Sequence, residues 1–287
     1  MASVRDLRRR IRSVQNTGKV TNAMSLVAAS KMRRAQIAVT QGRPYAQKIQ
    51  EIISHLAAQP SQEDGAAHAL LQERPVQRTG VLVISPDRGL CGGMVSNLNR
   101  MVGQFVLEQT APSRMFVVGR KARDFMVRTS QDVNAVFTEL GERPAQADTM
   151  AVSHLVIDAY SGGDVDEVYL AYTRFVSTLS QVAVVEKLLP VTPAALTAPE
   201  RVGYIYEPEH RTVLENLLPR FVEMEVYHAL LESIASEQSA RMVAMRAATD
   251  NANALVDDLT LVMNRLRQDS ITNELLDLVG GLIALEG

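Results

Sequence analysis

Two ends of the chain carry a helical seam, and the stretch between them does not. From the start, apolar residues recur three and four apart at Val4, Leu7, Ile11 and Val14. Small residues then hold the same positions at Gly18, Thr21, Ser25 and Ala28, and Met32, Ala35 and Val39 continue the register. That spacing predicts one helix packed along a single face against a partner. At the far end, Arg220 to Val279 contains neither Gly nor Pro, and about 60 uninterrupted helical residues would span about 90 Å. Its seam reads Ala235, Gln238, Met242, Met245, Thr249, Ala252, Val256, Leu259, Met263, Leu266, a coiled-coil register. Small members on both seams allow close approach. The expected arrangement is an antiparallel pair of helices, 1–58 with 209–287, joined through an intervening domain. Pro219 suits the first turn of the second helix, and Pro44 is expected to kink the first.

The middle, 76–207, follows a polar, Gly/Ala-rich boundary at 59–75. Thr79 to Ser85 and Arg114 to Gly119 are short continuous apolar runs, as strands buried on both faces require. Helices are predicted at 94–109, 121–128 and 145–160, and a strand pair at 167–173 and 180–189. The order is that of a Rossmann-like α/β domain with a mostly parallel sheet. The fold class expected for the whole chain is therefore α/β, with a long antiparallel coiled coil of its terminal helices. No internal repeat is present.

Charge sharpens the division. Of 30 basic and 32 acidic residues, eleven basic and one acidic fall within 1–48, so that segment is +10 and the remainder −12. A targeting presequence or a nucleic-acid-binding arm would share this bias, but neither needs one apolar register kept for five heptads. The composition, 46% hydrophobic and 22% charged over 287 residues, is that of a folded globular chain. Cys91 is the single cysteine, which excludes an internal disulfide and any multi-cysteine metal site. No apolar run is long enough to cross a bilayer as a helix.

Chemistry is sparse. The loop Asp87, Arg88, Gly89, Leu90, Cys91, Gly92, Gly93 leads from a buried strand into a helix, where phosphates often bind, yet it fits neither GxGxxG nor a P-loop. Cys91 lacks a nearby histidine base and reads as a packed thiol. His55, His68, His154, His210 and His228 show no metal-ligand spacing. The acids Asp257, Asp258, Glu274 and Asp277 read as solvated helix-surface residues. No catalytic constellation, cofactor site or metal site is expected.

The residues resemble a known family at three places. Arg9, Arg10, Ile11, Gln15 to Met24 and Val27 to Met32 resemble the N-terminal helix of the gamma subunit of F-type ATP synthases. Ser236, Glu237, Ala240 to Met242, Ala244, Met245 and Ala248 to Ala252 resemble its C-terminal helix, as do Leu259 to Leu261, Asn264, Arg265 and Gln268. Ile271, Thr272, Glu274, Asp277 and Gly281 match its terminal signature, and 85–93 is similar to its central loop. The resemblance covers essentially the whole chain, with departures at Met263, Leu266 and Leu282 near the C-terminal tip.

The resemblance implies a central rotor shaft: a non-catalytic subunit turning inside three alpha and three beta subunits, its α/β domain resting with epsilon on a membrane ring of c subunits. It implies coupling of ion flow to ATP synthesis or hydrolysis at the beta subunits. By similarity, Arg265 and Gln268 contact the beta catch loops, and Lys19, Met24, Arg241 and Glu274 are further rotor–stator candidates. Leu275, Leu276, Leu278, Val279, Leu282, Ile283 and Leu285 form an apolar tip bearing. No direct transmembrane segment and no nucleic acid are expected. A start without a presequence points to the cytoplasmic face of a bacterial plasma membrane, and a lone cysteine argues against the chloroplast type of redox switch. The rival from another class is a Rossmann-like enzyme or nucleic-acid-binding protein with a coiled-coil arm.

Overall fold

The computed structural model describes residues 3–58, 68–192 and 210–286, with the side chains of 43, 45–47, 50, 54, 56–58, 210, 211 and 281–286 outside that description. The chain divides into two compact units, one of residues 1–28 and 242–287, the other of 29–241. Helix α1 (Val4–Ala58) and helix α5 (His210–Glu286) each contribute to both.

The larger unit is a three-layer α/β structure. Its strands are β1 (Thr79–Ile84), β2 (Ser113–Val118), β3 (Asp132–Phe137), β4 (Glu167–Phe175) and β5 (Gln181–Leu189). They lie in the order β3-β2-β1-β4-β5. The first four run parallel, with Val81 opposite both Met115 and Tyr169, and β5 is antiparallel to β4. The connection from Phe175 to Gln181 is too short for a crossover, so the chain must turn back.

Strand alternation explains the continuous apolar runs. Val81, Val83, Met115 and Val117 face α2 (Met94–Glu108) and α3 (Arg120–Arg128), meeting Leu98, Val102, Ala122 and Met126. Leu82, Ile84, Phe116 and Val118 face the other way, into a core shared by α4 (Gln146–Ser161), Ala35, Val39, Ile49 and Ile53 of α1, and Leu218 to Ala235 of α5. Side chains on both faces of β1, and of β2 from Met115 on, are buried, so neither strand keeps a polar side there.

Three details differ from the sequence reading. β3 has no counterpart there: it is an edge strand alternating exposed and half-buried residues, without the apolar run that marks its neighbours. A short 3-10 turn at Ala69–Leu71 follows the boundary segment. Pro219 does not open α5, which starts at His210. The preceding turns are held by packing: Leu218 is fully buried in the shared core and Leu214 packs against it. Burial of that face offsets the hydrogen bond that proline removes. α1 likewise continues through Pro44.

The smaller unit is the pair of helices. Gly18 brings the backbone of α1 to α5, where an added Cβ would lie 3.4 Å from the Ala252 methyl, and the Thr21 and Thr249 hydroxyls are hydrogen-bonded at 2.7 Å. Both pairs fix an antiparallel register in which facing residue numbers total about 270. In that register Leu7 meets Met263, Ile11 meets Leu259 and Val14 meets Val256. Burial follows the seams: Leu7, Ile11, Gly18 and Ala28 are buried, and Val256, Leu259, Met263 and Leu266 are half-buried among exposed neighbours.

Candidate functional site

Two regions carry the residues singled out from sequence. The first is the outer surface of the helix pair and the end of α5. Lys19, Arg265, Gln268 and Glu274 are exposed, and Met24 is half-buried. Arg265 and Gln268 lie one turn apart and so share a face. Glu274 accepts from the Ser270 hydroxyl at 3.2 Å. Since α1 begins at Val4, the register leaves α5 without a helical partner beyond Leu266. There Leu275 is 57% exposed, Leu276 63%, Leu278 70% and Val279 56%. An α-helix places these four residues within about 160° of arc, so they form one broad exposed apolar face, with Glu274 and Asp277 outside it. Leu282, Ile283 and Leu285 continue the helix, with side chains outside the described ones.

The second region is where the sheet changes winding. β1 connects through α2 to β2 on one face, and β3 connects through α4 to β4 on the other. The carboxyl ends of β1 and β4 therefore bound the crevice in which doubly wound proteins hold ligands. Here α5 lies against that edge. The Ser236 hydroxyl donates to Thr173 O at 3.0 Å, and the Ser239 hydroxyl donates to Thr178 O at 2.7 Å. Ala240 packs on Cys91 and Met94, at the start of α2. A run of Ala and Ser on one helical face permits this approach, since larger side chains would hold the helix off the strand ends.

Arg241 closes the contact. Its guanidinium donates to Gly89 O at 3.1 Å and to Glu237 Oε1 at 2.7 Å, with the Arg241 and Glu237 side chains 13% and 16% exposed. Burial pushes the Glu237 carboxyl above its usual range, and Arg241 opposes the shift. Burial also raises the Cys91 thiol, again partly offset by Arg241. A thiol held in that direction is protonated at neutral pH, the opposite of an activated nucleophile. The loop is further tied by Asp87, which accepts from the Arg120 and Glu139 amides at 2.9 and 3.0 Å. The sequence reading had Arg241 only as a surface contact. The Glu237–Arg241 spacing of four residues was the available sign of the pairing, but nothing local to it indicates Gly89.

Gly119 locks the neighbouring strand ends. At φ +93° an added Cβ would come within 1.9 Å of Ser85 O, because Ser85 N donates to Val118 O and the Ser85 hydroxyl accepts from Ala122 N at 2.8 Å. Among the described residues, no group of three or more His, Cys, Asp or Glu could hold a metal ion, and no helix is long and apolar enough to cross a membrane.

Comparison with known proteins places these features in a family. The model of the ATP synthase family matches residues 3–285. A Dehalococcoides mccartyi protein named ATP synthase gamma chain is 56% identical over 285 residues, covering 99% of this chain and all of that one. A chain of the Tetrahymena thermophila mitochondrial ATP synthase central stalk and c-ring superposes with a TM-score of 0.60 at 27% identity, over 80% of this chain and 99% of its own. A chain from the Euglena gracilis mitochondrial ATP synthase gives a TM-score of 0.68 at 18% identity, over 98% and 94%, and shares the fold. With a paired-helix unit, a doubly wound domain and full-length matches at this identity, the chain belongs to the ATP synthase gamma-chain family.

Proposed function

We infer that the chain is the rotor shaft of a rotary ATP synthase, and that it works by steric and electrostatic contact, with no chemistry of its own. The observation that carries this reading is the register of the helix pair, which ends at Val4 and Leu266 and leaves a broad apolar face of α5 exposed. Paired helices supply stiffness. Apolar contacts are non-directional, so an apolar tip held in an apolar sleeve turns without deep angular traps. Charged and amide groups on the surface supply the angle-dependent grip, a role for Lys19, Arg265, Gln268 and Glu274; Met24 is a further, apolar contact candidate, and Arg241, the remaining candidate, is drawn inward to Gly89 O and Glu237. The tip role goes to Leu275, Leu276, Leu278, Val279, Leu282, Ile283 and Leu285.

The sleeve is three alpha and three beta subunits, and the α/β domain rests with epsilon on the c-subunit ring, peripheral to the cytoplasmic face of a bacterial plasma membrane. Turning the asymmetric shaft drives the catalytic beta sites through successive affinities. The non-catalytic part of this reading is supported by α5 filling the winding-change crevice with Ser236, Ser239 and Ala240 and by a Cys91 thiol that burial keeps protonated.

The test replaces both Arg265 and Gln268 with Ala in the assembled complex. Neither side chain is buried in this chain, so assembly and the helical circular dichroism of the subunit are expected to be retained while ATP-driven rotation and coupled synthesis fall. Unchanged coupled activity would remove these two residues from the contact. Native mass measurement giving three alpha, three beta and one copy of this chain is expected. Recovery as a soluble homo-oligomer would return the enzyme and nucleic-acid readings.

A further inference from the structure

Between α1, the loop from β3 to α4, and α5 lies a half-open cavity of about 650 Å³ that the rotor reading leaves without a role. Its volume is that of a small-molecule site. The floor is apolar, formed by Ala35 and Ala38 of α1 with Leu231 and Ile234 of α5. The alanines create the space, because both stand where a longer side chain on α1 would reach α5.

The walls are fixed. Tyr227 Oη donates to Pro144 O at 3.3 Å, Glu142 is ion-paired with Lys31, and the start of the same loop is held by the Glu139 amide on Asp87. The cavity therefore needs no rearrangement to form. Its rim is cationic: Lys31, Arg34 and Arg143 against the one acid, Glu142. Glu142 is taken by Lys31, and Arg34 bonds through Nε only to its own helix, at Ser30 O. Among the described residues, neither Arg34 nor Arg143 has a carboxylate partner. Two unpaired guanidinium groups over an apolar floor are the complement of one kind of ligand: an anionic head on a compact hydrophobic body.

We propose that this cavity binds a monomeric anionic amphiphile, a carboxylate or sulfonate whose head is held by Arg34 and Arg143 and whose body lies on Ala35, Ala38, Leu231 and Ile234. A neutral molecule of the same shape gains the floor but not the rim. A hydrophilic anion gains the rim but not the floor.

The probe is 8-anilinonaphthalene-1-sulfonate, which fluoresces when taken from water, with N-phenyl-1-naphthylamine as the same body lacking the sulfonate. Both are titrated into the assembled complex carrying wild-type chain, the Arg34→Ala/Arg143→Ala pair, or Ala38→Leu, which narrows the floor. The expected result is one sulfonate site per copy of this chain, displaced by decanoate but not by decanol. Its affinity should fall about tenfold or more in the double arginine variant, where charge-assisted bonds are lost, and in Ala38→Leu. The neutral probe should respond only to Ala38→Leu. If Ala38→Leu prevents assembly, Ala35→Val serves in its place. Sulfonate binding equal in wild-type and both variants would overturn the proposal. So would a site seen on the free full chain and absent from the complex, since another subunit would then cover the cavity.

Discussion

Replacing Arg241 with Ala tests whether α5 clamps the glycine loop. The substitution removes the bond to Gly89 O at 3.1 Å and leaves Glu237, 16% exposed, without its cation. Hydrogen bonds to charged groups contribute about 1.5–3 kcal/mol each, and stranding a buried charge costs at least as much. Partial exposure discounts the ion pair, so the loop should loosen by about 3 kcal/mol, a factor of about 150 in its opening equilibrium. Cys91 is the reporter, being buried under Ala240 and reactive only when the loop lifts. In the assembled complex, maleimide labelling of Cys91 followed by mass spectrometry should accelerate by about two orders of magnitude in Arg241→Ala. Rates are compared at two pH values to separate loop opening from the thiolate fraction. Arg241→Lys should recover part of the protection. Labelling within twofold of wild type, with the complex intact, would refute the clamp.

Other outcomes follow from the same geometry. Glu225 has its carboxyl pKa raised above 4.5, first by burial and then by Glu186 and Glu232. The folded state therefore favours the protonated acid, and stability is lost as pH rises above 4.5. Glu225→Gln should raise the Tm at pH 7 and lose that advantage below about pH 4.5, where the acid is protonated in both states; a constant Tm gain across pH would contradict this. Gly119→Ala should destabilise the larger unit by about 3 kcal/mol or more, measured by denaturant unfolding, because the new Cβ would meet the Ser85 carbonyl and the backbone cannot give way as a side chain could. Thr21→Val and Thr249→Val should each cost about 1 kcal/mol by removing the bond between the helices, the remaining hydroxyl keeping only its own helix's carbonyl, Gly18 O or Met245 O, and the double variant should cost less than the two together.

The helix seams were legible because each position had to be buried against a helix of the same period, and period is a property of sequence alone. Gly18, Thr21, Thr249 and Ala252 were readable as a close contact for the same reason. β3 was not, because an edge strand with one face half exposed carries only weak alternation. Pro219 was misplaced in the first turn because a proline rule was applied to a helix that starts at His210 and whose earlier turns are held by Leu214 and Leu218 in the core. Of the site, the exposed surface residues were marked by resemblance, whereas the clamp joins positions 89 and 241. Their nearness depends on how α5 crosses the sheet edge, which no local pattern encodes.

The end of pairing at Leu266 also sets where the helix is soft. Upstream, torque on α5 is shared with α1 through close contacts such as the Gly18 backbone against the Ala252 methyl, and twisting one helix requires shearing that seam. Downstream, the load falls on one helix's own hydrogen-bond ladder. A single helix has lower torsional and bending stiffness than a pair, so for a given torque angular strain per residue is greatest in the last twenty residues. Elastic energy accumulates there first, and the same stretch can bend to follow an imperfectly centred sleeve while the paired segment keeps its axis.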